Sequence, residues 1–403
     1  MKSNKHIEAI WPFQTVRESG IIINNNCDIS AVLSLQLPEV FCTPEDSYLV
    51  LFESFSQAVK SLGEGFVVHK QDQFFFEKYQ KPTKNHDDIV EAAMDEHFDG
   101  RPQLKHKSYL TITWPNSDPT KRDSLGSSFF KRFSINQNLL KSDTEANFLA
   151  KIRSFQATLN STKLIEVNLL TKKDILVDSE ETSLFRNYFS LSFYDKTLND
   201  IEVSKGLKVN NKFTQTRVIN SIEQYPSQIF PVNSYSPYAS DKTSIPVSAG
   251  MALGLNLQFN HIYNQIFIVA KQKDLKSKLV SEIKQHNAFA AWSSDNEMAI
   301  EAKTRFNNTL VSSNALAVKA HFNILCFHES EEMTQRYGEA VDSAISSLGF
   351  VPKRSTTYAE QLYWSCIPGN ASEIGKDNLS TIFLDNALSL CNLETNYKDG
   401  FFD

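Results

Sequence analysis

Over residues 20–114 the period of the apolar residues switches from two to about 3.6 and back, so strands and helices must share one core there. "GIIINNNCDISAVLSLQLPEV" carries two β-branched runs around Asn24-Asn25-Asn26, and because Asn tolerates positive φ, a hairpin is expected. Thr43 or Glu45, beside Pro44, then opens a helix. In it Tyr48, Phe52, Phe55, Val59 and Leu62 recur at spacings of four, three, four and three, on one face, before Gly63 and Gly65 stop it. "FVVHK" reads as a strand followed by an irregular polar stretch to about Asn85, a helix is expected over 86–98, and "SYLTITW" alternates like a strand.

The last third repeats the mixture. "NQIFIVA" and "AVKAHFNILCF" read as strands, "KQKDLKSKLVSEIKQH" and 294–312 as helices, and Met333, Tyr337, Val341, Ala344 and Leu348 stripe a further helix ending at Gly349. Between these parts the periodicity is weaker: helices are expected over 143–160 and 180–190, and a Pro-, Ser- and Tyr-rich extended connection over 223–248. At 403 residues the chain exceeds one ordinary core. The expected fold is α+β, with mixed or antiparallel sheets, packed helices and two to three subdomains at 1–115, 116–250 and 251–403.

The formal charge of −6 gives no overall attraction to nucleic acid or anionic lipid. Five cysteines without a C-x-x-C pair fit a reducing compartment. The start "MKSNKHIEAIWPF" lacks the apolar core of a signal peptide, and "GMALGLNLQFNHIYNQIFIVA" is interrupted by Asn256, Gln258, Asn260, His261, Asn264 and Gln265, so no span of a bilayer is expected.

One stretch, "CIPGNASEIGKDNLS" (366–380), looks like a phosphate-binding loop and fails the test for one. Five residues rather than four separate Gly369 from Gly375, and Asp377 stands where a Mg²⁺-binding hydroxyl belongs. A surface turn is expected instead. In "GMALGLN", Gly250 and Gly254 lack the dinucleotide spacing and point to close backbone packing. "HESEE" (328–332) has Glu332 where a zinc motif needs its second His, which leaves a helix start with acids in its first turn. "DEHFDGRP" reads as a solvated helix end. No spacing among the cysteines and no G-x-S-x-G assigns a metal, cofactor or catalytic residue. The one basic-aromatic cluster joins Lys121, Arg122, Phe129, Phe130, Lys131 and Arg132, a candidate interaction patch weighed against a loop with a buried aromatic anchor.

Six stretches together carry a family resemblance: "LPEVF" (37–41), "VVHKQDQF" (67–74), "HFDGRPQLKHKSYLTIT" (97–113), "LGLNLQFNHIYNQIFIV" (253–269), "QLYWSCIPGNA" (361–371) and "LCNLETNY" (390–397). In this order they resemble the N-terminal region of the TraG-type conjugation ATPases of Bacteroides-like conjugative elements, relatives of the large ATPase of type IV secretion systems. In that family the NTPase half follows the "ETNY" stretch, so the resemblance implies that the phosphate-binding loop, ATP and Mg²⁺ belong to a part this sequence lacks, and that this part is inactive alone. It further implies docking at the cytoplasmic face of the inner membrane, contacts with other type IV secretion channel proteins and self-association, while direct nucleic-acid contact is not expected of this region. The rival from another class is an autonomous enzyme using the "DEHFD" or "HESEE" acids.

Overall fold

The computed structural model describes residues 12–79, 81, 89–122, 142–176, 183–194, 198–203, 206–219, 229–235, 245–289, 294–312 and 315–396. Its first part runs β1 (Phe13–Val16), β2 (Ile22–Asn24), β3 (Ile29–Gln36), α1 (Glu45–Leu62), β4 (Val67–Lys78), α2 (Ile89–Phe98) and β5 (Pro102–Trp114). Then follow α3 (Ser142–Asn160), β6 (Glu166–Leu169), α4 (Lys172–Ile175), α5 (Leu184–Ser190), β7 (Ile201–Val203), β8 (Leu207–Val209), β9 (Lys212–Ile219), β10 (Val232–Ser234) and β11 (Pro246–Ser248). The last part holds β12 (His261–Ile268), α6 (Gln272–Phe289), α7 (Ser294–Ser312), β13 (Ala317–His328) and α8 (Glu331–Ser347). It closes with β14 (Lys353–Ser355), α9 (Ala359–Ser365), β15 (Ser380–Phe383) and α10 (Leu384–Ser389).

The fold is α+β. Among the described residues thirteen strands form one sheet in the order β1-β2-β3-β5-β4-β12-β13-β9-β8-β7, with β6 beside β3, β15 beside β13 and β14 beside β9. Strands from 1–115, 116–250 and 251–403 all enter it. The join is β4 on β12, antiparallel and in unbroken register from Val67↔Ile268 to Phe74↔His261. A separate ladder pairs β10 with β11, so the described part of the Pro-rich connection is extended and fixed by its own pairing.

Helices cover both faces of the sheet. On one, Leu51, Phe55, Ala58 and Val59 of α1 and Phe148, Ile152 and Phe155 of α3 pack over Leu33, Val68, Leu110, Phe267 and Phe322, with Val341 and Ile345 of α8 in the same core. On the other, Phe185, Tyr188 and Phe189 of α5 and Leu362, Tyr363 and Trp364 of α9 cover Val32, Val67, Ile262, Ile266 and Leu325. Central strands enclosed on both faces lose the alternation that sequence reading depends on.

The expected hairpin is present, with a shift in its turn. Asn24 Oδ1 accepts from the backbone N–H groups of Asn26 and Asp28, and the left-handed conformation falls on Cys27 (φ 62°) rather than on an asparagine. The second element after it departs from expectation. Instead of ending near Lys70, β4 runs on through Gln71, Asp72 and Gln73, all buried, because β5 and β12 satisfy its backbone on both edges. Among the described residues no helix is long and apolar enough to cross a membrane.

Gly250 lies against the chain near its other end. A Cβ there would stand 2.2 Å from the carbonyl carbon of Cys391, backbone that cannot swing aside. Gly250→Ala is therefore expected to destabilise the protein by roughly 1–3 kcal/mol through overpacking, read as a lower urea midpoint with an unchanged slope.

Candidate functional site

The polar interior of the sheet is the most unusual feature of the chain, and it is built by β4, β5, β12 and β13. On the face under α9, Asn264 Oδ1 accepts from His69 Nε2 (3.0 Å) and Gln71 Nε2 (2.7 Å), while its Nδ2 donates to Asn323 Oδ1 (2.9 Å). Asn323 Nδ2 then donates to His321 Nε2 (3.0 Å), whose Nδ1 donates to the carbonyl of Asn378 (2.8 Å). Gln71 also donates to the carbonyl of Cys366 (2.9 Å). Burial drives His69 and His321 down to about 4, so both are neutral imidazoles, as this pattern of donors and acceptors requires.

The opposite face holds charge. Lys70 Nζ lies 2.7 and 2.6 Å from the two oxygens of Asp72, and both residues are fully enclosed. His106 Nε2 (3.0 Å) and Gln265 Nε2 (2.9 Å) complete the carboxylate's shell. Burial alone would push Asp72 up, but the Lys70 charge and the His106 hydrogen bond overcome it and hold the carboxyl well below its ordinary range. His106 lies between a ring and a hydroxyl: it stacks on Phe74 at 4.2 Å, and its Nδ1 accepts from Thr395 Oγ1 at 2.9 Å. A cleft of about 380 Å³, opening where β3 leaves β5, reaches His106, Ser108 and Thr395.

Asp72, His106 and Thr395 thus follow the order carboxylate, imidazole, hydroxyl of a nucleophilic relay. The electrostatics favour fastening over activation. Asp72 already spends its charge on Lys70, burial lowers the basicity of His106, and Thr395 is held through its backbone N–H to Pro38 (2.9 Å) and its carbonyl to Val40 (2.9 Å). The relay pins Thr395 to the sheet.

A third polar cluster contains one of the residues picked out from sequence. Arg122 grips Asp28 with both terminal nitrogens at 2.9 Å and also pairs with Glu373. Ser372 and Asn24 add hydrogen bonds to the same Asp28 carboxylate, and Asn116 donates its backbone N–H. Burial raises the Asp28 carboxyl, and Arg122 more than reverses that, leaving it below its ordinary value. Buried to this extent, Arg122 belongs to the interior. Lys121 is exposed and lies 3.5 Å from Asp118. Phe129, Phe130, Lys131 and Arg132 lie outside the described residues.

The stretch 366–380 runs through this interior. Residues Cys366 to Gly375 are buried, so the expected surface turn is corrected: the segment is a strap across the sheet, with only Lys376 and Asp377 exposed. Its backbone is satisfied inside, by Gln71 at Cys366, by His321 at Asn378 and by the Arg122 carbonyl, which accepts from Lys376 N (2.9 Å). The other motifs lie where sequence put them. Ser330 caps α8 by accepting from Met333 N, with Glu331 and Glu332 in the first turn; of the "DEHFD" acids Glu96 and Asp99 are exposed, while Asp95 is half-buried and accepts from the Tyr79 hydroxyl. Near the chain's end, Ser248 donates to both oxygens of buried Glu394, which burial pushes up to about 7.

Asp72→Asn strands the Lys70 ammonium without a counter-charge, and a loss of roughly 3–5 kcal/mol is expected in equilibrium unfolding. Acid should also destabilise the wild-type chain. His69, His261 and His321 stay neutral in the folded state down to about 4, whereas the unfolded chain takes up protons below about 6.5, so stability falls as pH falls through that window. Glu394 opposes this, since its folded carboxyl keeps a proton up to about 7 and loses stability as pH rises from its ordinary range. Three imidazoles outweigh one carboxyl, and the net loss between pH 7 and pH 5 is roughly 3 kcal/mol. Urea midpoints at the two values check this; a midpoint higher at pH 5 contradicts it, and Glu394→Gln should steepen the fall.

No curated protein matches the chain. Residues 192–374 match the CagE, TrbE, VirB family, described as a component of type IV transporter system. The matched segment runs from just before β7 to the residue after Glu373, and so includes β12, β13 and most of the buried strap. Over that segment the chain is similar to type IV transporter components.

Proposed function

We propose that the chain is the N-terminal docking and assembly module of a conjugative type IV secretion ATPase of the TraG type, without catalytic activity of its own. The observation that carries this reading is the family match over 192–374 together with the fate of 366–380. The sole loop with a glycine–lysine pair of nucleotide-site appearance is consumed in packing, with its backbone N–H groups and carbonyls turned to the interior rather than around a phosphate. A rigid sheet bearing helical arms suits a part that works through protein contacts. On this reading the module sits at the cytoplasmic face of the inner membrane and meets other channel proteins there, while ATP and Mg²⁺ act elsewhere in the assembly.

The test uses the purified chain with ATP and Mg²⁺. No hydrolysis above the buffer rate is expected, and Lys376→Ala should change nothing in that assay. Turnover abolished by Lys376→Ala would sink the proposal. In the same cells that supply the channel proteins, co-purification of at least one of them with the tagged chain is expected.

A further inference from the structure

The sheet forks where β3 leaves β5. Leu35↔Ser108 is the last pair between them, whereas β4 stays paired with β5 as far as Lys78↔Pro102. Residues 102–107 of β5 therefore have a strand on one side only. On the other side Asn396 Nδ2 donates to the carbonyl of Leu104 (2.7 Å), so Leu104 turns its backbone that way, and by the two-residue repeat of a strand His106 does too. Across the fork Leu37, just beyond β3, makes no backbone hydrogen bond among the described residues. The cleft of about 380 Å³ occupies this fork, lined by Gln36, Leu37, His106, Lys107 and Leu184 among others. Between Asn396 and the last pair the edge runs from Lys105 to Lys107, a length of roughly 10 Å.

The charge at the fork is positive. Lys105 and Lys107 stand two residues apart, on the same side of β5. Lys105 donates to the Tyr194 hydroxyl (3.2 Å). Lys107 is half-buried, lies over the ring of Phe193 at 4.6 Å and makes no ion pair or hydrogen bond among the described residues. Burial, and then the charge of Lys105, hold its ammonium below the ordinary lysine range. The carboxylates nearby are engaged. Asp174 accepts from the backbone N–H and the hydroxyl of Thr171 (2.7 Å each), and Glu77 from the Ser192 hydroxyl (3.0 Å) and Phe193 N (2.8 Å).

We propose that the fork receives an extended segment of a partner protein, which adds to β5 as a short strand and sets acidic side chains against Lys105 and Lys107. A strand edge open on one side selects an extended backbone, because only that conformation offers its own N–H and C=O groups to His106 and Leu37. A helix spends those groups on itself. Lysines two residues apart on one side of a strand are matched by carboxylates two residues apart on its neighbour. The segment is thus an extended one with acids at alternate positions. The inference stands on register and charge, and holds or fails independently of the docking role proposed above.

Fluorescence anisotropy of the labelled peptide TVEVEVT with the whole chain tests it. Saturable one-to-one binding is expected, with amide hydrogen exchange over 102–108 slowed roughly tenfold or more. The basic peptide TVKVKVT should bind at least tenfold more weakly, and Lys105→Glu with Lys107→Glu should reverse that preference. Lys107→Met, which keeps the length of the side chain, should weaken the acidic peptide alone, and thermal melts matching the wild type confirm that the variants are folded. Two further peptides carry N-methyl groups, one on both glutamates and one on the valines. A strand pairs through every second residue, so one of the two should fail to bind the wild-type chain and the other should bind. Absence of binding by TVEVEVT overturns the proposal, as does binding indifferent to the lysine variants. Equal binding of the two methylated peptides, or unchanged exchange over 102–108, leaves a charge contact without strand addition and likewise overturns it. If the chain alone dimerises and TVEVEVT dissociates the dimer, the edge belongs to a second copy and the proposal fails.

Discussion

The Asp72 carboxylate is the constraint around which the rest of this structure is arranged. It is enclosed at the middle of a thirteen-stranded sheet, and an ion in that position persists only if its lone pairs are filled by charge and hydrogen bonds of good geometry. Lys70 comes from its own strand, His106 from β5 and Gln265 from β12, so three strands must be in register before the carboxylate is satisfied. A slip of one residue would send these side chains to the opposite face and leave the charge alone. The ion therefore specifies the register of the β4/β12 seam, which apolar residues on both faces would leave more permissive. The neutral row of His69, Gln71, Asn264, Asn323 and His321 does the same on the other side, with Gln71 holding the strap at Cys366 and His321 holding it at Asn378.

Periodic elements were legible in the sequence because their signal is local. The stripe from Tyr48 to Leu62 became α1, Met333 to Leu348 became α8, and the Asn-rich turn became a hairpin. The further course of β4 was not legible, since Gln71, Asp72 and Gln73 look solvated until their partners on β12, about 193 residues away, are known. Arg122 is a similar case. It reads as a surface cation beside Lys121, yet its partners Asp28 and Glu373 lie 94 and 251 residues distant. The strap at 366–380 misled for a related reason: its Gly, Asn and Ser content is that of a turn, and only the interior polar network makes burying it tolerable. The close approach at Gly250 was anticipated in kind, though nothing in the sequence names Cys391 as the neighbour.

The similarity to type IV transporter components covers 192–374, yet the physical unit is larger than the matched segment. Parts of that segment are completed by residues outside it: β12 by β4, the strap by Asp28 and Arg122, and Tyr263 by the carbonyl of Leu390. Thr395 and Asn396 also return to the first part of the sheet, through the bridge of Glu39 with Thr395 and the bond from Asn396 to Leu104.

The seam also imposes an order on how this protein is made. His69 meets Asn264 across 195 residues, so at a synthesis rate of roughly 5–20 residues per second the strand β4 waits on the order of ten to forty seconds for its partner. During that interval its edge is open, the state in which a long strand recruits other chains. Lys70 and Asp72 lie on that waiting edge, and charge directed into a would-be sheet is a recognised deterrent to pairing with the wrong strand. The same two residues that fix the register of the finished sheet therefore place charge on the edge that stays open until β12 exists.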